Sequence, residues 1–210
     1  MKRDADSSKR EKEAAIFEAA LRIIKQKGFH RARMSDIAKE AGISYGLVYH
    51  YFENKEDLFD AIFNSWWDGL FRLMEEIEGK GYDVNEKLRR IILYFLDTYQ
   101  GRPELVNIFI TEISRSTANL TARRLDYFKK FMALTEGVIT AGQKENLLRG
   151  DFKARYLTYI FLGALETFVS AMVLADQKIK GDVQKERIAE SILEVFLNGA
   201  KLRKGTDHTP

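Results

Sequence analysis

The stretch SDIAKEAGISYGLVYHYF, residues 35–52, decides the fold of this 210-residue chain. It contains two short segments with helical apolar spacing, separated by Ala41, Gly42 and Ile43. Gly42 suits the turn because a side chain there would oppose the left-handed backbone that reverses the chain. Ser44 is a favoured N-cap for the second segment. Two short helices joined by a glycine-containing turn predict a helix-turn-helix.

The second of these helices has two different faces. Val48 and Phe52 can point into a small core, which leaves several residues outside: Ser44, Tyr45, Gly46, Tyr49 and His50. Exposed aromatic rings gain nothing from burial in the domain, but they can contact phosphates and thymine methyl groups. The alternative is a polar-aromatic helix packed against another part of the same chain. As a group, these residues predict that the helix binds double-stranded DNA.

Two nearby residues support this interpretation. Gly46 is a poor helix former, costing about 1 kcal/mol relative to Ala, and a helix whose backbone closely approaches DNA has reason to keep it. Lys55 adds a positive side chain in the first turn of the next helix, where a phosphate could contact both this side chain and the positive N-terminus of the helix.

Working outward, the pattern predicts an all-α protein of about nine helices. A helix over about 9–27 ends at Gly28, and Asn54 caps a long helix after the helix-turn-helix. We expect a three-helix helix-turn-helix domain in residues 1–53, a larger helical domain in 54–203, to which the ligand-binding and dimerisation roles argued below are assigned, and a flexible tail in 204–210. The later helices are expected near 85–100, from Pro103, and over 121–146, 153–176 and 184–202.

Composition narrows the classes of function. The chain has no cysteine and three scattered histidines, so neither a thiolate nor a histidine metal site is expected. It shows no nucleophile motif and no phosphate-cradling glycine loop, so we predict no enzyme activity, no catalytic residues and no cofactor. Residues 1–51 carry a net charge of +4 and the rest −1, which suits an N-terminal segment that faces phosphates.

Residues 156–175, YLTYIFLGALETFVSAMVLA, are apolar enough to span a bilayer. Glu166 lies at their centre, where an acid costs roughly 2.5–3.5 kcal/mol. A helix that is apolar on all sides is also expected in a protein core or at a dimer seam. We favour this interpretation over a membrane span. The polar start MKRDADSSKREKE resembles no secretion signal, so we expect a cytoplasmic protein without a membrane partner.

The segment GFHRARMSDIAKEAGISYGLVYHYFENKEDLFDAIF, residues 28–63, resembles the N-terminal fingerprint of the TetR-family repressors. Its pattern includes the A-G turn, G-x-x-Y-x-x-F and N-K-E-x-L. The resemblance implies that Arg33 and Lys55 contact phosphates and that these residues face DNA: Ser44, Tyr45, Leu47, Tyr49, His50 and Tyr51. The family often has Thr where this chain has Arg33. Whether Arg33 makes an ionic contact with DNA or no contact therefore stays open.

Three later stretches are similar to the FadR branch of that family, which regulates fatty-acid degradation and senses long-chain acyl-CoA. They are EISRSTAN (112–119), ITAGQKENLLRGDF (139–152) and FLGALETFVSAMVLADQK (161–178). The resemblance implies a hydrophobic effector of this class.

One short helix contacts too few base pairs to specify a site, so a homodimer is expected. A two-fold dimer presents its two helices to successive major grooves about 34–36 Å apart and selects a palindrome. We assign the seam to the helices near 153–176 and 184–202, paired as a four-helix bundle. Its predicted residues, which could instead fill the core of one chain, are Gly163, Ala164, Ser170, Ala171, Ile188, Ile192, Val195 and Phe196.

The middle helices, about 85–146, are expected to enclose the effector. Predicted ligand contacts are Phe95, Tyr99, Asn107, Phe109, Glu112, Arg115, Phe128, Phe131 and Glu166. A buried Glu166 needs a polar partner, which could be Arg115, a dimer-mate or the ligand. Acyl-CoA phosphates would need cations, for which the candidates are Arg115, Arg123, Arg124, Lys129 and Lys130.

Effector binding would then reorient the long helix beginning at Asn54 and release the DNA. Two alternatives stay open at this point. One is a sensor of lipophilic cations that controls efflux, with Glu166 or Glu112 as the counter-charge. The other is a DNA-binding protein that has no effector.

Overall fold

The computed structural model describes residues 2–108 and 122–200, and all regular structure in this part of the chain is helical. The all-α prediction is confirmed. The described residues form nine helices: α1 (Lys2–Lys27), α2 (Met34–Glu40), α3 (Tyr45–Tyr51), α4 (Lys55–Gly79), α5 (Val84–Gly101), α6 (Pro103–Ile108), α7 (Ala122–Lys144), α8 (Ala154–Leu174) and α9 (Asp182–Ala200).

Helix α1 differs from its prediction, because it begins at Lys2 instead of near residue 9. Neither glycine nor proline occurs before Gly28, and lysine, arginine, glutamate and alanine are good helix formers. The polar start therefore continues the helix, although it has no regular apolar stripe.

The chain divides into two compact units, Met1–Gly69 and Leu70–Pro210, and the division falls inside α4. The domain boundary after residue 53 stays a prediction, and the predicted tail over 204–210 lies outside the described residues. In the first unit, Ile16, Ala20, Ile37, Val48 and Leu58 are almost fully buried and bring α1 to α4 around one small core.

Two glycines shape this first unit. Gly28 and Gly42 have φ of 76° and 67°, in the left-handed region that glycine adopts without strain. Gly28 thereby ends α1, and Gly42 turns the chain between α2 and α3, as the sequence predicts.

The second unit is built around α5. Leu88, Ile91, Ile92 and Leu96 are completely buried at helical spacing, and α5 packs against α6, α7, α8 and α9. Charged pairs also join α5 to α9: Lys185 lies 2.5 Å from Asp97, and Arg89 pairs with Glu186. The carboxylates of Asp97 and Asp182 raise the pKa of Lys185 to about 12.

Helix α8 is the one described helix that is long and apolar enough to cross a membrane by length and composition. Only 33% of its most apolar window is buried inside the chain. Its buried side repeats at three- and four-residue spacing through Leu157, Phe161, Leu165, Val169 and Met172. The opposite side is left uncovered in the single chain.

Candidate DNA-binding and dimerisation surfaces

Helix α3 is held in place from its inner side and from its start. Ser44 has an extended backbone, and its Oγ accepts a hydrogen bond from the Leu47 N–H at 3.3 Å. Val48 is completely buried and Phe52 is nearly so. The Phe52 ring packs on Phe17 of α1, with 5.8 Å between ring centroids. These contacts orient the other face of α3 away from the unit's own core.

That outer face carries the aromatic residues predicted for it. Tyr45 is 54% exposed and Tyr49 is 42% exposed. Ser44, Gly46 and His50 are also exposed, while Leu47 and Tyr51 are half-buried. A Cβ added at Gly46 would meet nothing within 4 Å, so packing inside the chain does not require glycine there. The predicted faces are confirmed, and the DNA contacts of these residues stay predictions.

The two exposed tyrosines contact each other. Their ring centroids are 4.8 Å apart, and their two hydroxyl groups share a hydrogen bond at 3.1 Å. The hydrogen bond with Tyr45, followed by desolvation, raises the pKa of Tyr49. The Tyr49 hydroxyl therefore keeps its proton near pH 7 and can donate to a DNA acceptor.

The two predicted phosphate contacts differ in their surroundings. Arg33 is exposed just before α2, where its N–H donates to Asp36 Oδ2 at 3.3 Å. Lys55 is half-buried, and its Nζ donates to the carbonyl oxygens of Phe29 at 2.7 Å and His30 at 3.3 Å. The ammonium also lies 4.5 Å from the Phe29 ring centroid. With three protons, it can tie the α1–α2 turn to α4 and still donate to a phosphate.

Most residues predicted for the dimer seam lie on the uncovered side of α8 and α9. Gly163, Ala164, Ser170 and Ala171 are exposed or half-buried, as are Ile188 and Ile192, and Val195 is 76% exposed. The same side carries large residues that the sequence analysis left out: Tyr156, Tyr159, Ile160 and Leu174. We call this α8–α9 surface the apolar face.

Two predicted residues are placed differently. Phe196 is buried and its ring contacts Phe161, with centroids 5.1 Å apart, because the inner stripe of α9 through Ala189, Leu193 and Phe196 packs within its own unit. Glu166, expected to be buried, is exposed beside the apolar face. A polar partner inside the same chain is therefore not required for it.

The predicted ligand contacts are only partly brought together. Phe95 and Phe131 meet with ring centroids 5.9 Å apart. Tyr99 is buried and its hydroxyl donates to the Gln177 carbonyl oxygen, while Phe128 is about half exposed on α7. Phe109, Glu112 and Arg115 lie outside the described residues, as does the side chain of Asn107. Their ligand roles stay predictions.

Sequence reasoning missed two clusters that join residues of different helices. Burial raises the pKa of Tyr94 to about 12, against the opposing effect of the Arg72 and Arg102 charges. On α4 and α7, Lys130 Nζ lies 4.1 Å from the Phe71 ring centroid, and the Phe71 ring contacts Tyr127 at 5.7 Å. Spacing along the sequence gives no signal for contacts of this range.

Comparison with known proteins adds independent evidence. Residues 16–62 match the model of bacterial regulatory proteins of the TetR family, and residues 68–199, more than half of the chain, match the YsiA-like protein C-terminal region. The fatty acid metabolism regulator protein of Bacillus subtilis is 27% identical over 191 residues, covering 91% of this chain and 96% of that protein. The transcriptional repressor KstR2 of Rhodococcus jostii is 26% identical, covering 93% and 94%.

A solved structure agrees with these matches. The crystal structure of the transcriptional regulator FadR from Bacillus subtilis, in complex with stearoyl-CoA, superposes with a TM-score of 0.76 at 26% identity. The match covers 89% of this chain and 98% of that one.

Proposed function

Since the chain belongs to the TetR family and is a DNA-binding, ligand-responsive transcriptional regulator, we propose that it is a dimeric repressor of palindromic operators. A long-chain acyl-CoA releases it from the DNA. The observation that carries the proposal is the outward tyrosine face of α3, on a chain that matches the stearoyl-CoA complex almost from end to end. Like its relatives, the protein acts as a regulator and not as an enzyme, and it works in the cytoplasm with the chromosome.

The outer face of α3 supplies the contacts to DNA. Its hydroxyl, imidazole and backbone groups suit phosphate oxygens and base edges. Arg33 and Lys55 add charge on the flanks, and every phosphate they neutralise releases counterions. Tyr45, Gly46 and Leu47 in the first turn of α3 lie closest to the bases, and Tyr49, His50 and Tyr51 complete the surface.

The apolar face of α8 and α9 is where a second copy binds. A contiguous apolar surface of this kind is typical of a protein–protein interface. Gly163, Ala164 and Ala171 allow two α8 helices to approach closely, and Ile192 and Val195 of α9 extend the seam. Glu166 lies at its margin, where a polar group of the partner or solvent satisfies it. In this arrangement the two α3 helices contact successive major grooves.

The acyl chain is proposed to lie among the aromatic residues of the second unit, beside Phe95 and Phe131. The phosphates need cations, and α7 supplies exposed ones in Arg123, Lys129 and Lys130. Arg123 and Lys130 lie over the rings of Tyr127 and Phe71 and have no carboxylate within 4 Å among the described residues. On α5 and α9, in contrast, Arg89 and Lys185 are neutralised by Glu186 and Asp97. The α7 cations therefore remain available for an anionic ligand.

Ligand binding is coupled to DNA release through α4, which is common to both units. The ligand must bind more tightly to the dimer whose α3 helices are wrongly spaced. A hundredfold preference corresponds to about 2.7 kcal/mol of coupling free energy.

The proposal is tested by competition at the operator. A palindrome is first selected by the protein from a pool of random duplexes, and its binding is followed by fluorescence anisotropy. Stearoyl-CoA should release the duplex at micromolar concentration, whereas CoA alone and stearate alone should not, and stearoyl-CoA should be recovered unhydrolysed. Release by tetraphenylphosphonium but not by stearoyl-CoA would favour a sensor of lipophilic cations.

A further inference from the structure

The side chain of Phe29 lies in the turn between α1 and α2 and contacts α4 at two points. Its ring is half-buried. The ring meets that of Phe59 with 5.2 Å between centroids, and its own centroid lies 4.5 Å from Lys55 Nζ. Phe59 is buried, which makes it a fixed support for the ring. Lys55 and Phe59 are four residues apart on one face of α4, so the Phe29 ring packs on both at once.

The Lys55 ammonium is held mainly by this one residue. Nζ donates to the Phe29 carbonyl oxygen at 2.7 Å and lies over the ring of the same residue. A longer hydrogen bond, at 3.3 Å, goes to the His30 carbonyl oxygen. These groups are neutral, and no carboxylate of the described residues lies within 4 Å of the ammonium. The positive charge is therefore held in place without being neutralised.

A lysine at this position needs such a support. Lys55 is the first residue of α4, where the positive end of the helix dipole disfavours a cation. Its side chain also has a long flexible stem, and ordering such a side chain at an interface weakens binding. Carbonyl oxygens and an aromatic face attract a cation, so the contacts with Phe29 offset both costs before DNA is bound.

We propose that Phe29 is a positioning residue for operator binding, which holds the Lys55 ammonium where its remaining proton reaches a DNA phosphate. The inference rests on the proposed function, in which Lys55 contacts a phosphate. It goes beyond that function because it gives a role to a residue that does not itself contact DNA. Phe29 supplies no charge and acts through Lys55.

A double-mutant cycle between Phe29 and Lys55 tests the assignment. Phe29→Leu keeps an apolar side chain and the backbone carbonyl but removes the aromatic face. On the palindrome selected by the wild-type protein, it should bind about 3- to 10-fold more weakly. It should also reduce the slope of log affinity against log salt, although it removes no charge. In a Lys55→Met background, Phe29→Leu should weaken binding by less than about twofold.

Two further variants control the experiment. Phe29→Tyr keeps the aromatic face, so it should retain the wild-type affinity and salt slope. Phe29→Met replaces Phe29→Leu if the latter unfolds. In the free protein, proton NMR should show the Lys55 ε-methylene shifted upfield by the ring beside it, and this shift should be lost in Phe29→Leu and kept in Phe29→Tyr.

The outcomes are distinguishable. An equal loss from Phe29→Leu with and without Lys55→Met would overturn the positioning role, because Phe29 would then act independently of the ammonium. A salt slope that falls in Lys55→Met but not in Phe29→Leu would also overturn it and leave the proposed function standing. A wild-type protein that selects no duplex would overturn the proposed function and this inference with it.

Discussion

The outer face of α3 and the apolar face of α8 and α9 both leave large side chains uncovered, yet their chemistry differs. On α3 the exposed groups are hydroxyls and an imidazole, from Ser44, Tyr45, Tyr49 and His50. On the apolar face the aliphatic side chains of Ile160, Leu174 and Val195 are exposed beside the rings of Tyr156 and Tyr159. Polar donors match phosphate oxygens and base edges, whereas aliphatic surface matches another protein surface. We therefore expect the two surfaces to bind different partners, DNA at α3 and a second copy of the chain at the apolar face.

The largest effect is expected from a charge in the apolar face. Val195→Glu brings two carboxylates into the two-fold seam. The dissociation constant of the dimer should therefore rise more than about 100-fold, and operator binding should be lost. Sedimentation velocity measures the first effect. Val183→Glu is the matched control, because Val183 and Val195 are similarly exposed, at 78% and 76%. Val183 differs in lying in the first turn of α9, outside the proposed seam. A Val195→Glu protein that remains dimeric would place the interface elsewhere.

The next effect tests the other surface. Tyr49→Ala removes an exposed ring and hydroxyl from α3, so operator affinity should fall about 10- to 100-fold, as for a central contact residue. The melting temperature should change little, because the side chain contributes little to the core. Unchanged operator affinity would show that this face of α3 does not contact DNA.

A smaller effect concerns the flanking charges. If Arg33 and Lys55 each neutralise one phosphate, Arg33→Met and Lys55→Met should each reduce the slope of log affinity against log salt by about one. Arg31→Met is the control, since Arg31 donates to the Lys27 carbonyl oxygen and is not assigned to DNA. A slope that stays at the wild-type value in Arg33→Met would mean that Arg33 makes no ionic contact.

The smallest effect concerns two ion pairs, one in each unit, that join helices to one another. Lys27 lowers the pKa of Asp36, 2.8 Å away, so this pair stabilises the first unit above the unfolded pKa of about 3.9 and the stabilisation is lost as pH falls through the folded value. Lys185 has its pKa raised, so its contribution is complete below about 10.4 and is lost as pH rises through about 12.

Thermal unfolding of Asp36→Asn and Asp97→Asn across pH checks this difference. Asp36→Asn should be slightly less stable than the wild type near neutral pH, and this difference should disappear in acid. Asp97→Asn should also be slightly less stable, and its difference from the wild type should disappear in strong base. Equal pH dependence of the two variants would contradict the assigned ion pairs.

The sequence was most informative where structure is local. Gly42, the Ser44 cap and the spacing of Val48 and Phe52 lie within a few residues of one another, so the faces of α3 follow from helix geometry alone. The Lys55 contact with the Phe29 carbonyl joins residues 26 apart and depends on how α1 meets α4. Nothing in the local pattern predicts it.

Helix α8 and the effector region were less predictable. Because α8 is apolar on all sides, its sequence does not show which side is covered, and the exposure of Glu166 followed only from packing. Adjacent residues of α9 likewise differ in burial, since Val195 is exposed and Phe196 is buried. The pairing of Phe95 with Phe131 depends on how α5 meets α7, which spacing along the chain does not define.

Hydroxyl-radical footprinting of the selected palindrome tests the central claim most directly. We expect two protected segments related by a dyad and centred about one helical turn apart. At the lowest concentration at which the wild-type protein protects the duplex, Tyr49→Ala and Val195→Glu should give neither segment. A single protected segment without a dyad, or full protection by Tyr49→Ala at that concentration, would contradict this expectation.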